Sequence, residues 1–569
     1  MRRIESFWVP DNVNLVWFLS FEMAKVASMG GLGVAVYNLA SALIERGVKV
    51  RVIMPSHGRH LQGQYRGLLS LQDTGMRIDG FRIGVDGTTY PYSLGLEEGV
   101  IDGINISLVK GWDYNSGKYL DSQDIYLETL EKISLTSRAV PFIVERGISK
   151  GEIPDAIHVH DWHMVIPGVI MKQEFEYRRL GVPIIYTIHL LGKTSLPWHY
   201  PSENWCGLVD VKHYVWNVVR HKLLKYSDVW NEFSGGYIEK FGAYESDVLT
   251  SVSRNYLTYE VFNLTGSWLE NKTCVTYDGT DWNVEQVKEE AERRFGTSDR
   301  KLLRKNLLSL LKEVKVIPRN YSTGDLLWNN RHRLGIRDDW TYEPLDDGPL
   351  ILFAGRLTYQ KGVDLLIRSF KQVIQKISNA RLLILGIPAG DYGVSYDLIS
   401  NSLDLKDNVR LVLGNFPDYN LYKLYFYASS AFAFPSRWEP FGIVGVESMA
   451  LGTPVVGYHV GGIAEFVRDI RFNEEGNGLL AWPESIDDLA SALITALKLQ
   501  QASEVNNPSF LSDIPYKLNI TDASFWEKVR ENAIRTVEKN FRWSSSAEQV
   551  MECYNKAIKM TVYRVTSSM

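Results

Sequence analysis

Ala431-Phe432-Ala433-Phe434-Pro435-Ser436-Arg437-Trp438-Glu439-Pro440-Phe441-Gly442 reads as a short buried strand, a loop carrying one acid, and a glycine that opens a helix from Ile443 to Leu451. Four apolar residues closed by proline fit a strand buried on both faces, and glycine punctuates the turn into the next element. The first turn of a helix has backbone N–H groups without intrahelical partners and a partial positive charge, which makes it a seat for phosphate. Glu439 and Glu447, eight residues apart, flank that seat. An anion seat beside two carboxylates points to a phosphorylated ligand whose remaining part carries hydroxyls.

The same strand–loop–helix unit repeats on either side. Apolar runs at 350–354, 380–387, 408–416, 431–435, 453–460 and 478–482 read as buried strands. They alternate with helical patterns at 362–377, 395–403, 418–429, 442–451, 461–468 and 485–500. Such a βαβα rhythm builds a doubly wound parallel sheet with helices on both faces. The first half follows suit, with strands expected at 14–21, 49–54, 156–160, 183–189 and 247–252 and helices at 31–46, 123–147, 164–180 and 213–228. Residues 77–111 break the rhythm and read as an antiparallel hairpin insertion, and 284–348 as a charged helical insertion beginning with helices Val284 to Phe295 and Arg300 to Val314. The expectation is an α/β chain of two Rossmann-like domains facing a cleft: 1–255, 256–543, and a C-terminal helix at 544–569 returning to the first domain.

Composition narrows the class. The chain has 569 residues, 45% hydrophobic and 23% charged, with a net charge of −5, so it makes no electrostatic case for nucleic acid or an anionic membrane. No apolar run reaches the roughly 20 residues that span a bilayer. The N-terminus lacks an apolar signal core. Cys206, Cys274 and Cys553 are too far apart for a disulfide framework or a Cys-x-x-Cys metal motif and read as free thiols. A cytoplasmic protein is expected.

Four further segments place chemistry at strand ends. Gly30 and Gly31 stand between a strand and a helix, where backbone N–H groups approach phosphate; read alone, they equally make a tight turn. In Ala156-Ile157-His158-Val159-His160-Asp161-Trp162-His163 the period-two alternation puts His158 and His160 on one face of a strand and Asp161 at its carboxyl end. Three histidines and an acid invite a metal, but the side chains scatter around a strand end, and a polar cleft floor is the better reading. His189 closes the next apolar run. In the second half, Gly355-Arg356-Leu357-Thr358-Tyr359-Gln360-Lys361-Gly362 puts a guanidinium fork and an ammonium on one βα loop, a natural pair for a diphosphate. The chain contains no Asp-x-Asp, so the diphosphate is expected to be held by these cations and helix ends, with no metal and no cofactor.

Together these segments resemble the retaining GT-B glycosyltransferases, and within them the bacterial and archaeal glycogen (starch) synthases. The resemblance rests on Gly30-Gly31-Leu32, His160-Asp161-Trp162-His163, Gly355-Arg356 with Gln360-Lys361-Gly362, and Ser436 to Gly442 with Glu447, in that order. It implies an activity, the transfer of glucose from ADP-glucose or UDP-glucose to the non-reducing end of an α-1,4-glucan with retention of configuration. It also implies roles. Arg356 and Lys361 bind the donor diphosphate, with Gly31 and the Phe441-Gly442 helix start adding backbone N–H groups. Glu439, His189 and Asp161 face the transferring glucose, and Glu447 holds the ribose. The family lysine stands two residues before the paired glycines. Lys25, the nearest candidate for that donor-binding lysine, stands five before Gly30, and Leu190 follows His189 where the family has asparagine. Alternatives on the same fold are a transferase making a disaccharide such as trehalose or sucrose, and a non-catalytic sugar-binding protein. The base of the donor, for which Phe416 and Tyr419 in 386–419 are stacking candidates, and the oligomeric state stay open.

Overall fold

The computed structural model describes residues 1–4, 6–217, 220–318, 321–389, 392–414, 416 and 418–567. The chain forms two compact units, Met1–Asp278 with Trp543–Met569, and Gly279–Arg542.

The first unit is built on a nine-stranded sheet. From one edge its order is Thr273–Val275, Val248–Ser251, Ile184–Ile188, Ala156–His160, Leu15–Leu19, Lys49–Pro55, Ile104–Gly111, Thr89–Ile101 and Gln72–Ile83. The first seven run parallel, and the last two add antiparallel strands at the edge, where the sequence reading placed a hairpin insertion. The chain starts in the middle, winds outward through Lys49–Pro55 to one side, then crosses to Ala156–His160 on the other side of Leu15–Leu19. The crevice above such a reversal is where doubly wound sheets bind ligands. The sequence pattern puts the first boundary at residue 255. The structure carries this unit on to Asp278, because Thr273–Val275 pairs in register with Val248–Ser251.

One expected element is overturned. Residues 213–228 form a two-stranded antiparallel hairpin, Lys212–Asn217 with Arg220–Lys225, followed by a short helical turn, rather than a helix; residues 218 and 219 of that stretch lie outside those described. Tyr214, Val215 and Trp216 are β-formers, and a fully buried carboxylate fixes the hairpin. Glu245 accepts from His213 Nε2 at 2.9 Å and from Lys172 Nζ at 3.1 Å, and the His213 ring stacks on Tyr226 at 3.6 Å.

The second unit has six parallel strands in the order Val409–Leu413, Arg381–Pro388, Leu350–Leu357, Ala431–Phe434, Val455–Tyr458, Gly478–Ala481. In chain order this is 3-2-1-4-5-6, so its reversal lies between Leu350–Leu357 and Ala431–Phe434. Helix Val363–Lys376 lays an apolar face of Leu366, Phe370 and Val373 on the sheet beside helix Ile486–Val505. The charged insertion contains helices Val284–Phe295, Arg300–Leu310 and Tyr321–Asn329. The last helix, Trp543–Thr566, belongs to the first unit and packs along helix Gly31–Glu45. Among the described residues no helix is long and apolar enough to cross a membrane.

Candidate active site

Both reversals carry the residues that the motifs singled out. In the first unit, Asp161 follows the Ala156–His160 strand with φ 59° and ψ 170°. That conformation costs a non-glycine residue on the order of 1–3 kcal/mol. It turns the carboxylate toward the end of the neighbouring strand Ile184–Ile188, where Oδ1 accepts from His189 N at 2.7 Å and Leu190 N at 3.0 Å. Asp161 is buried, and loss of hydration pushes its pKa up to about 7, with Glu22 and Glu239 adding to the rise against those two N–H groups. His189 Nε2 lies 3.0 Å from His160 Nδ1, and burial lowers the His189 pKa to about 4. His158 is held by Tyr554 Oη at 2.8 Å and Thr187 Oγ1 at 2.7 Å. Each of these imidazoles is engaged with its neighbours. Among the described residues no group of three or more His, Cys, Asp or Glu is arranged to hold a metal ion.

Two acids that carried no sequence pattern join this end of the sheet. Glu22 is buried, and its Oε2 accepts from Met29 N at 2.6 Å and Gly30 N at 3.2 Å, so the turn before helix Gly31–Glu45 is already capped by a carboxylate. Asp278 is buried, and desolvation together with the nearby Asp161 pushes it up to about 8. Gly31 is exposed at the first position of its helix, with nothing within 4 Å of where a Cβ would stand. Lys25 is turned to other partners: its Nζ is 2.8 Å from Asp102 Oδ2 and 2.6 Å from Tyr37 Oη, which raises its pKa. Lys25, Ser28, Arg59, Gln64 and Tyr65 line a groove of about 560 Å³ beside the same strand ends.

In the second unit, two loops meet at the reversal. Lys361 Nζ lies 2.5 Å from Glu439 Oε2, and Ser436 Oγ donates to that oxygen at 3.0 Å. Arg356 stands exposed at the end of Leu350–Leu357, and among the described residues its guanidinium has no hydrogen-bond or ion-pair partner. The loops are laced together. Arg437 N donates to Gln360 O at 2.8 Å, and Gln360 Nε2 donates to Trp438 O at 3.1 Å. The Arg437 guanidinium binds both Asp364 oxygens, at 2.9 and 2.8 Å, and lies over the Tyr359 ring. Gly442, at φ 103°, precedes helix Ile443–Ala450. The Phe441 ring is buried against Phe466 and Phe541, so its side chain belongs to the core and only its backbone faces the turn.

Glu447 sits one turn into that helix. Desolvation pushes its pKa up to about 7, offset in part by the Lys423 ammonium. Lys423 lies over the rings of Tyr419 and Trp282, and Trp282 Nε1 donates to Tyr419 Oη at 2.9 Å. Tyr419 is more than half exposed. Of the 386–419 segment, residues 390, 391, 415 and 417 lie outside those described. The arrangement offers a guanidinium without a partner among the described residues, an ammonium on loan to a carboxylate, and a second carboxylate near the exposed Tyr419 ring.

Comparison with known proteins places this arrangement. Residues 15–270 match the starch synthase catalytic domain family, and residues 337–507 match the glycosyl transferases group 1. The chain is 24% identical to a glycogen synthase of Desulfitobacterium hafniense over 95% of its own length and 98% of that protein. The chain is a GT-B glycosyltransferase, related to the glycogen and starch synthases. An uncharacterized glycosyltransferase of Methanocaldococcus jannaschii is 31% identical over 41% of this chain, and the match spans about half (49%) of that relative. The catalytic domain of starch synthase IV from Arabidopsis thaliana, solved with ADP and acarbose, superposes with a TM-score of 0.67 at 21% identity, covering 96% of this chain and all of that one, and so shares the fold. In this glycosyltransferase the two matched families fall one on each unit, each spanning its unit's sheet reversal.

Proposed function

We propose that the enzyme transfers glucose from a nucleoside-diphosphate glucose, ADP-glucose or UDP-glucose, to the 4-hydroxyl at the non-reducing end of an α-1,4-glucan, with retention. The observation that carries this reading is the pairing at the second reversal: Lys361 bound to Glu439, on the loop that also carries Arg356, whose guanidinium has no partner among the described residues. A diphosphate competes for both cations. When it takes Lys361, Glu439 is released to accept hydroxyls of the glucose. Glu447 holds the ribose, with Tyr419 offering a face to the base. His189 and Asp161 serve the transferring sugar, and Gly31 and the Gly442 turn add N–H groups at the phosphates. The Lys25–Asp102 pairing leaves that lysine at the rim of the 560 Å³ groove, a position suited to the glucan acceptor.

In the reaction the bond from the anomeric carbon to the β-phosphate oxygen breaks through an oxocarbenium-like state. Negative charge grows on the departing phosphate, where Arg356 and Lys361 stabilise it more in the transition state than in the ground state. The acceptor oxygen bonds to the anomeric carbon on the face that the phosphate leaves, and its proton passes to that phosphate. The related glycogen synthases and the presence of a fixed carboxylate–ammonium pair at the reversal support this reading.

Labelled ADP-glucose and UDP-glucose, supplied separately with glycogen, test it. Label is expected in ethanol-precipitable glucan, and Arg356→Ala is expected to lower turnover on the order of 10²–10³-fold, as for loss of one preorganised donor. Label found only in small soluble sugar would overturn the glucan acceptor.

A further inference from the structure

The contact between His160 and His189 fixes more than position. His160 is fully buried, its ring stacked on His158 at 4.1 Å and tilted against Phe18 at 4.6 Å. Its Nδ1 is 3.0 Å from His189 Nε2, while its own Nε2 is buried without a hydrogen-bond partner among the described residues. Burial holds both rings neutral, so each carries one N–H. Two arrangements then satisfy the contact. In one, His189 Nε2–H donates to His160, which leaves the His160 proton on the buried Nε2 with nothing to receive it. In the other, His160 Nδ1–H donates to His189, and His160 buries only a lone pair. A buried unpaired N–H is the costlier of the two. The second arrangement therefore prevails, and it puts the His189 proton on Nδ1, since the hydrogen bond made by one ring nitrogen decides the state of the other.

We propose that His160 is a positioning residue that locks His189 in the Nδ1–H tautomer, so that the His189 ring offers its ligand a neutral hydrogen-bond donor. The ligand class is a sugar oxygen, a hydroxyl or ring oxygen that can only accept here; this rests on the placement of His189 at the transferring glucose. Neutrality matters as much as direction. A protonated imidazole next to an anomeric carbon gaining positive charge would oppose bond cleavage, whereas a neutral N–H orients the sugar without that repulsion. His158, clamped between Tyr554 and Thr187, backs the His160 ring and keeps it from turning.

The test is the tautomer itself. In protein labelled with ¹⁵N-histidine, two-bond ¹H–¹⁵N correlations distinguish Nδ1–H from Nε2–H rings, and the His189 signals are those lost in His189→Gln. The full chain is expected to show the Nδ1–H pattern at His189. His160→Asn, whose amide N–H takes the place of Nδ1–H, keeps both that pattern and the parental turnover. His160→Leu gives a mixed pattern and turnover lower by roughly tenfold, the loss of one neutral hydrogen bond, at unchanged donor KM. An Nε2–H pattern in the parent overturns the proposal. So does a loss of turnover in His160→Leu with the His189 pattern unchanged, which would make His160 a packing residue only. Parental turnover in His189→Ala would overturn the placement of His189 at the sugar, and with it the ligand assigned here, independently of the tautomer measured.

Discussion

Glu439 and Glu447 begin as two similar acids eight residues apart, and their surroundings give them different chemistry. Glu439 is buried with an ammonium and a hydroxyl on the same oxygen. Glu447 has lost hydration, with Lys423 acting on it at longer range, and it titrates at about 7. Its folded value is thus raised above that of an unfolded glutamate, near 4.3. The stability it contributes is present below about pH 4 and is lost as pH rises through 7, while the carboxylate able to hold ribose hydroxyls grows over the upper part of the same interval. Donor KM should accordingly fall by roughly tenfold between pH 6 and pH 8, following the ionised fraction. Glu447→Gln should flatten that dependence at a weaker KM. Steady-state kinetics over this range decide the matter, and a donor KM independent of pH in the parent would show that Glu447 does not hold the donor as a carboxylate.

At the level of elements, the donor half depends on two loops approaching closer than side chains allow. Gly362 ends the Arg356–Lys361 loop at φ 62°, and a Cβ there would stand 1.9 Å from Pro435 O. Gly461, at φ 42°, meets Glu439 O at the same 1.9 Å. Only a residue without a side chain lets Lys361 reach Glu439 across this gap. Gly362→Ala should therefore lower stability by about 3 kcal/mol, combining left-handed backbone strain with a backbone clash. Urea unfolding measures this directly; an unchanged midpoint would mean that the loops separate at little cost. Gly362 was visible in the sequence as punctuation between strand and helix. The approach that demands it was not, because Pro435 lies more than 70 residues from Gly362.

For the whole molecule, the last helix packs against a sheet that the first 278 residues lay down. Arg564 forks onto both Asp247 oxygens, at 2.9 and 3.0 Å, and also pairs with Glu176; Thr561 donates to Asp247, and Tyr554 holds His158 beneath the active-site histidines. Arg564→Ala leaves a buried carboxylate unpaired and should cost about 3–5 kcal/mol in chemical denaturation. A change below about 1 kcal/mol would mean that water takes over the pairing. The alternation of strand and helix, the six strands of the second unit and the motifs at their ends follow from the sequence alone, because period, apolar runs and glycine breaks are local properties of the chain. The hairpin at 212–225 was missed, since its β-formers are held as strands by Glu245, which lies beyond them in the chain. Local pattern likewise gave no sign that Glu22 caps the glycine turn, that Asp278 crowds Asp161, or that His160 meets His189. Those depend on which strands become neighbours and on burial that strips water from charge. The sequence by itself thus determined two wound sheets and the residues at their reversals. Only the tertiary structure decided which of those residues are paired, which are neutral and which stand free for a ligand, because pairing and desolvation arise from contacts between segments distant in the chain.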